Sequence, residues 1–218
     1  RRQRQMCIRD RTVSENTIYV GASDRRLAKF ENLFPIPRGV SYNAYVILDE
    51  KTALLDTADA SVGAQFLENV AAALDGRKLD YLIVDHMEPD HAAMIEAVLV
   101  RWPDLRLVVN AKTLPMLKMY FPTDSAAIDD ALVVKEGDTL DLGKHKLTFV
   151  MAPMVHWPEV MMTFDTTTGT LFSADAFGTF GALEGALFAD EVDFAGKWLD
   201  DARRYYTNIC LLYTSPSP

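Results

Sequence analysis

The chain has 218 residues, 49% hydrophobic and 24% charged, which is the composition of a globular protein with a sizeable core. It carries 22 Lys and Arg against 31 Asp and Glu, a formal net charge of −9. That balance argues against a nucleic acid or an anionic membrane as partner, because both require a basic surface. No apolar run approaches the roughly 20 residues of a membrane span. The two cysteines, Cys7 and Cys210, are too few for a disulfide framework and favour a reducing cytoplasm.

The two ends of the chain differ from its middle. Residues 1–11 hold five arginines and one aspartate without periodicity, and they lack the apolar segment of a signal peptide. Residues 211–218 form a turn-rich tail. We expect both ends to be non-native or disordered, which leaves 12–210 as the folded segment.

From Thr17 onward, short β-rich runs alternate with longer helical patterns. The predicted strands are 42–48, 52–57, 79–85, 105–109, 131–134, 138–142, 145–152, 160–165 and 170–175. The predicted helices are 61–76, about 91–100, 111–121 and about 192–209, with Ser61 as N-cap and Gly76 as stop of the first. Pairs of strands follow each other too closely for a purely doubly wound sheet. The sequence therefore predicts one mixed α/β domain.

The stretch "VDHMEPDHAAMI" crowds side chains that can bind a metal into one turn. His86, Glu88, Asp90 and His91 follow a predicted buried strand, and functional sites of α/β proteins form at such strand ends. Residues two apart in an extended turn point the same way, so the first three of these side chains can form a row. We expect Pro89 to exclude a regular helix from this stretch. "EPDH" also matches the Glu-x-x-His of ferritin-like bundles, but it occurs once, in a strand-rich chain.

Further ligands have to come from elsewhere in the chain. His156 in "APMVHWPEV" and Asp175 in "LFSADAFG" both follow predicted strands, although a single residue in such a place is more often a loop cap. His145 stands at a strand start after Gly-Lys and is predicted to lie on the surface. Met154 and Trp157 flank His156, and we expect core packing rather than pocket lining from them.

The order His86-x-Glu88-x-Asp90-His91, followed by His156 and Asp175, resembles the metallo-β-lactamase-like domain of the flavodiiron proteins. This family is also called the A-type flavoproteins and includes rubredoxin:oxygen oxidoreductase. The resemblance covers about residues 12–210 and includes "SYNAYVILDEKTALLDT", "APMVHWPE" and "LFSADAFG". It implies an α/β fold, the αββα four-layer sandwich, incomplete at its C-terminal end.

The resemblance also implies a function, the reduction of O2 to water or of NO to N2O at two non-haem irons. One iron would take His86, Glu88 and His156, the other Asp90 and His91, and Asp175 would bridge them. Electrons would come from FMN in a flavodoxin-like domain that this chain does not contain, so we expect the fragment to be inactive. The family further implies a head-to-tail homodimer and a donor such as rubredoxin or a flavin reductase.

Glu88 separates the main hypothesis from its rival. Hydrolytic relatives of this superfamily have histidine at the matching position and bind zinc, whereas a carboxylate is a harder donor that suits iron. The alternative function is therefore a zinc-dependent hydrolase of the metallo-β-lactamase superfamily. A non-catalytic scaffold is a third possibility, disfavoured because six ligand positions are filled. The sequence does not decide between O2 and NO.

Overall fold

The computed structural model describes residues 12–122 and 125–209. Residues 1–11 and 211–218, predicted to be non-native or disordered, therefore lie outside the described residues, as do both cysteines. The strands are β1 Thr12–Ser14, β2 Thr17–Tyr19, β3 Ala22–Asp24, β4 Lys29–Phe30, β5 Phe34–Pro35, β6 Val40–Tyr42, β7 Tyr45–Leu48, β8 Thr52–Leu55, β9 Tyr81–Ile83, β10 Arg106–Asn110, β11 Leu132–Val134, β12 Thr139–Asp141, β13 Lys146–Met151, β14 Met161–Asp165 and β15 Thr170–Phe172. The α-helices are α1 Gly63–Leu74, α2 Pro89–Ala92, α3 Ile95–Arg101, α4 Thr113–Tyr120, α5 Ser125–Asp129, α6 Phe194–Lys197 and α7 Leu199–Ile209.

Two sheets carry most of the strands. The first has seven strands in the order β1-β2-β7-β8-β9-β10-β11, and the second has four in the order β12-β13-β14-β15. Strands β8 to β11 run parallel because helical crossovers connect them, whereas the second sheet is antiparallel throughout. Parallel strands end at the same edge of their sheet. The loops after β8, β9 and β10 therefore meet at one edge.

Alternate residues of the central strands face two different cores. Leu54 of β8 and Leu82 of β9 belong to a core shared with α1, α3 and α4. Their neighbours Leu55 and Ile83 belong to a second core shared with Phe149 of β13. The two sheets thus pack face to face through the second core, as the predicted sandwich requires. None of the described members of that second core lies in a helix.

The predicted hairpins are confirmed. The pair expected at 42–48 and 52–57 is β7 with β8, and the pair expected at 160–165 and 170–175 is β14 with β15. Both are antiparallel, and a short turn joins each pair, which is the local signal that the sequence pattern carries.

The helix predicted at 61–76 is α1, but the predicted N-cap is wrong. The side chain of Asp59 accepts a hydrogen bond from the Ser61 N–H at 2.7 Å, and Ser61 lies in a short 3₁₀ turn, Ala60–Val62, that precedes α1. At the other end the helix stops as predicted, because Asp75 is the C-cap with a φ of 48° and Gly76 follows it with a φ of 83°. Glycine adopts this left-handed conformation without steric cost, which is why it commonly stands directly after a helix C-cap.

The structure corrects two further helix predictions. Pro89 does not exclude a helix but begins one, because the first position of a helix needs no N–H from its residue. The helix predicted at 192–209 is confirmed for α7 only. Asp193 caps the separate single turn α6, which ends at Lys197. None of the helices in the described part of the chain is both long and apolar enough to cross a membrane.

His145 was predicted to lie on the surface, and that prediction is wrong. Its side chain has no exposed area, and its Nδ1 lies 2.8 Å from Oδ2 of Asp165, which is buried as well. The backbone N–H of His145 donates to the Asp49 carboxylate at 2.6 Å. Strand β14 supplies the carboxylate partner from 20 residues away, so the segment around His145 alone gives no sign of burial.

Candidate metal centre

Three loops bring all six predicted ligand side chains to one place. The segment after β9 provides His86 and Glu88 in extended backbone, and then Asp90 and His91 from the first turn of α2. The loop between β13 and β14 provides His156, and the loop after β15 provides Asp175. The expected row of His86, Glu88 and Asp90 in extended backbone is thus correct for the first two residues, whereas Asp90 lies in a helix.

The first group of donors consists of His86, Glu88, His156 and Asp175, whose donor atoms all lie within 4.8 Å of one another. Nε2 of His156 lies 2.9 Å from Oε2 of Glu88 and 3.2 Å from Oδ2 of Asp175. Nε2 of His86 lies 3.3 Å and 3.4 Å from the same two oxygens. Two ring nitrogens and two carboxylate oxygens therefore surround one point.

The second group consists of Asp90, His91 and Asp175, again within 4.8 Å. Nε2 of His91 lies 2.8 Å from Oδ1 of Asp175 and 3.8 Å from Oδ2 of Asp90. Asp175 hence gives one oxygen to each group. The six side chains fall into the two groups that the family resemblance implies, while their binding of iron stays a prediction.

Two buried carboxylates hold the far sides of the histidine rings. Oε1 of Glu159 lies 2.8 Å from Nδ1 of His86, and Oδ2 of Asp56 lies 3.0 Å from Nδ1 of His91. Each carboxylate also accepts a backbone N–H of the ligand loop, Glu159 from Met87 at 3.0 Å and Asp56 from Asp85 at 2.8 Å. A carboxylate at Nδ1 fixes the tautomer that presents Nε2 to a metal, and it makes the ring a better donor.

Aromatic and apolar side chains complete the surroundings. The Trp157 ring stands edge-to-face on His86 at 5.4 Å between centroids and contacts His156 at 6.2 Å, so it lines the site rather than the core. Met154 is 54% exposed, which makes the expectation of core packing wrong for this residue. A cavity of about 290 Å³ borders the second group, and the buried Tyr205 is part of its wall.

The negative charge of the site raises the pKa of its histidines. Burial lowers the pKa of His86, but hydrogen bonds with Asp175, Glu159 and Glu88 outweigh burial and raise it to about 10. Burial likewise lowers the pKa of His156, but hydrogen bonds with Asp175 and Glu88 outweigh burial and raise it to about 9. The carboxylates thus hold positive charge on the rings when no other cation is present.

The pKa values of the carboxylates are shifted as well, in both directions. Burial raises the pKa of Glu88, yet its hydrogen bonds with His156 and His86 keep it at about 2. Burial raises the pKa of Asp90 to about 7 in spite of the nearby charge on His91. A hydrogen bond with Glu88, together with burial, raises the pKa of Glu31 to about 7. These acidic groups are crowded beyond what the rings neutralise, which is the electrostatic setting of a cation site.

Four of these residues were not singled out from the sequence. Asp56 directly follows β8, as several ligands follow strands, so that position was a usable signal, although it does not tell which ring Asp56 would hold. Glu159 lies two residues before β14 begins and has no such signal. Glu31, at the tip of the β4–β5 hairpin, and Tyr205, on α7, carry no local signal. They reach the site only because the chain folds back on itself.

Known proteins are similar to this chain in sequence. The model of a family described as "ODP family beta lactamase" matches residues 40–206. The chain is 36% identical to a nitric oxide reductase of Moorella thermoacetica, over 93% of this chain and 50% of the relative. It is 37% identical to the anaerobic nitric oxide reductase flavorubredoxin of Klebsiella pneumoniae, over 90% of this chain and 40% of the relative. The chain thus spans half or less of the length of these curated relatives.

Solved structures give the same result. The flavodiiron protein from Giardia intestinalis superposes with a TM-score of 0.84 at 27% identity, over 91% of this chain and 47% of that one. The rubredoxin oxygen:oxidoreductase from Desulfovibrio gigas superposes with a TM-score of 0.83 at 31% identity, over 90% of this chain and 48% of that one. The fold expected from the sequence is therefore confirmed.

Proposed function

The chain belongs to the ODP family of β-lactamase-like domains, and from that membership we propose that it is the diiron domain of a flavodiiron-type oxidoreductase. Its relatives carry the names nitric oxide reductase and rubredoxin oxygen:oxidoreductase, so the reaction proposed for the parent protein is reduction of NO to N2O or of O2 to water. The 218 residues are the metal-binding part, and we expect no turnover from them alone.

The donor groups suit two iron ions. His86, Glu88 and His156 would hold one ion, Asp90 and His91 the other, and Asp175 would bridge them. Two irons bound there would supply the redox chemistry, giving electrons to O2 or NO. A buried oxygen supports this assignment, because Oδ1 of Asp90 has no hydrogen-bond partner among the described residues. A buried polar atom without a partner costs free energy, which a bound cation would remove.

The observation that carries the proposal is the placement of Asp175. Its Oδ2 faces His86 and His156, and its Oδ1 faces His91. One carboxylate divided between two sets of ring nitrogens suits a pair of metals better than a single ion. The three carboxylates of the six-residue set offset most of the +4 charge of two ferrous ions, and the rings add no charge when they bind metal.

Glu88 favours iron over zinc within this arrangement. Its carboxylate occupies the first group beside two imidazoles, so that group has mixed oxygen and nitrogen donors. Oxygen donors suit harder ions, including the ferric state through which a redox site must pass. A zinc-dependent hydrolase of the same fold is not favoured, since the relatives and solved structures named above are reductases and flavodiiron proteins.

The remaining parts of the activity belong to the parent protein. We propose that electrons arrive from FMN in a flavodoxin-like domain, that rubredoxin or a flavin reductase reduces this FMN, and that protomers pair head to tail. The chain covers 50% of the Moorella relative and 40% of the Klebsiella relative, which leaves room for such a domain in proteins of their length. A cytoplasmic location is part of the proposal, on the ground of only two cysteines.

Metal analysis tests the proposal directly. The 218-residue chain, reconstituted without oxygen with Fe(II) alone, is expected to retain iron, and Asp175→Asn is expected to retain none. A wild-type chain that retains Zn(II) but no Fe(II), each supplied alone, would favour the hydrolase instead. For the parent protein, bound iron without consumption of O2 or NO in the presence of a reduced donor would refute the proposed reaction.

A further inference from the structure

We propose that Glu159 is a positioning residue that ties together the two histidines of the first donor group, so that its loss weakens one metal position and spares the other. The inference rests on the proposed function, because it assumes that His86 and His156 bind a metal. It goes further by giving a role to a residue outside the ligand set.

The first step is what the Glu159 side chain touches. The carboxylate has no exposed area, and a single oxygen, Oε1, faces Nδ1 of His86 at 2.8 Å and accepts the Met87 N–H at 3.0 Å. Its second oxygen, Oε2, has no hydrogen-bond partner among the described residues. A buried carboxylate with so few partners is costly unless it faces positive charge. An imidazole that binds a metal through Nε2 provides that charge at its Nδ1–H.

The second step is that Glu159 shares a loop with the other histidine. His156 lies three residues earlier in the connection between β13 and β14. The Glu159 carbonyl accepts a hydrogen bond from Nδ2 of Asn110 at 2.5 Å, and Nζ of Lys112 donates to the Pro158 carbonyl at 3.1 Å. The end of β10 therefore fixes the backbone of this loop. From that fixed backbone the Glu159 side chain reaches His86 on a different loop.

The third step is a comparison with the second donor group. Asp56 holds Nδ1 of His91 as Glu159 holds Nδ1 of His86, and each carboxylate also binds a backbone N–H of the same ligand loop. Within the described residues, no carboxylate faces Nδ1 of His156. Each group thus has one buried outer carboxylate of its own. The two carboxylates provide a matched pair of sites for substitution.

The substitution that isolates the charge is Glu159→Gln. A glutamine keeps an acceptor oxygen for His86 and Met87 but removes the negative charge. Changes to such outer carboxylates typically cost about 10–100-fold in metal affinity. We expect a loss of that size at the first position only. Asp56→Asn is expected to give the opposite pattern, with loss at the second position only.

The experiment is an anaerobic titration of the 218-residue chain with 57Fe(II) against a chelator, read by Mössbauer spectroscopy. The signal that disappears in His156→Ala identifies the first position. Asp165→Asn, in the buried His145–Asp165 pair away from the six ligands, is the control and should change neither signal. Loss confined to the first position in Glu159→Gln supports the proposal. Wild-type affinity, or equal loss at both positions, overturns it.

A second measurement covers the case in which Glu159→Gln does not fold. The wild-type chain has four histidines, so 15N labelling of their rings gives an interpretable spectrum with diamagnetic Zn(II) bound. We expect the ring of His86 to carry its proton on Nδ1 and the metal on Nε2, and the opposite tautomer overturns the proposal. A wild-type chain that binds neither Fe(II) nor Zn(II) would instead refute the proposed function on which the inference rests.

Discussion

Two buried histidine–carboxylate pairs lie in different regions of this chain, and only one of them belongs to a candidate metal site. In both His86–Glu159 and His145–Asp165 the ring Nδ1 lies 2.8 Å from a carboxylate oxygen, and all four side chains have no exposed area. What differs is the second ring nitrogen. Nε2 of His86 faces Glu88 and Asp175, whereas Nε2 of His145 is buried without a partner in the described part of the chain.

The difference shows that burial and a carboxylate partner do not make a metal site. Asp165 is satisfied locally, by the Thr167 N–H at 3.0 Å and the Thr168 hydroxyl at 2.6 Å, besides His145. Neither His145 nor Asp165 belongs to either donor group among the described residues. The pair therefore joins the start of β13 to the end of β14. His86 becomes part of a site because other loops bring donors to its Nε2.

The largest expected effect is at the ligand that the two groups share. Substitution of a carboxylate that only orients a ligand typically lowers metal affinity by about 10–100-fold. Asp175 is a proposed ligand itself, so Asp175→Asn should lower the affinity by more than about 100-fold at each metal position. Isothermal titration with Fe(II) under anaerobic conditions measures both losses. Retention of one ion at wild-type affinity would contradict the bridging role of Asp175.

The next effect should appear in stability rather than in metal binding. His145→Ala leaves the buried Asp165 without its ring partner, and breaking a buried pair by removing one member costs about 3 kcal/mol of unfolding free energy. Urea unfolding of the metal-free chain measures this cost. Iron affinity should stay at the wild-type value, and a parallel fall in iron affinity would show that the two regions are not independent.

A smaller effect is expected from a change in donor type. Glu88→His keeps a ligand in the first group but replaces an oxygen with a nitrogen donor, which should shift the ratio of bound zinc to iron upward by about tenfold. Competition between the two metals, followed by elemental analysis, measures the shift. Lys144→His adds a histidine outside both donor groups, so it serves as the control and should leave the ratio unchanged. An unaltered ratio in Glu88→His would mean that the fold, rather than Glu88, selects the metal.

The smallest effect belongs to a pair in which the cation, Arg26, is open to solvent while Asp24 is buried. Hydrogen bonds from Arg26 lower the pKa of Asp24 to about 2, from 3.8. A lowered carboxyl pKa stabilises the fold above pH 3.8, and this contribution is lost as the pH falls toward 2. Because the Arg26 side chain is 74% exposed, screening limits the contribution to about 1 kcal/mol.

The measurement for this pair is urea unfolding of wild type and Asp24→Asn at several pH values. Their difference in unfolding free energy should be constant near neutral pH and shrink below about pH 4, for as long as both chains stay folded. A difference that does not depend on pH would assign the role of Asp24 to packing instead of charge.

The sequence allowed the six proposed ligands to be predicted, but not the residues that orient them. His86, Glu88, Asp90 and His91 are close together in the chain, so their shared placement can be read locally. His156 could be added because it follows a strand, as could Asp175 in "LFSADAFG". A single carboxylate such as Glu159 is common in the loops between strands, and only the folded chain shows which ring it contacts.

The same limit applies to the fold. The strand and helix alternation predicted the hairpins β7–β8 and β14–β15, because each is closed by a local turn. The surface assignment of His145 failed, since its partner comes from the neighbouring strand, 20 residues away. The helical pattern at 192–209 failed at its start, where Asp193 caps a separate turn. Local sequence patterns do not predict which distant segments pair with each other.

The position of Asp175 in the chain has a consequence for how the protein matures. Asp175 meets His91 across 84 residues of sequence, and that contact exists only after β10 to β15 have taken their places. During synthesis the segment from His86 to His91 leaves the ribosome long before its distant partners. A metal taken up at that stage would meet an incomplete set of donors and exchange freely. Iron is therefore expected to enter after folding, and correct loading then reports that the two sheets have closed.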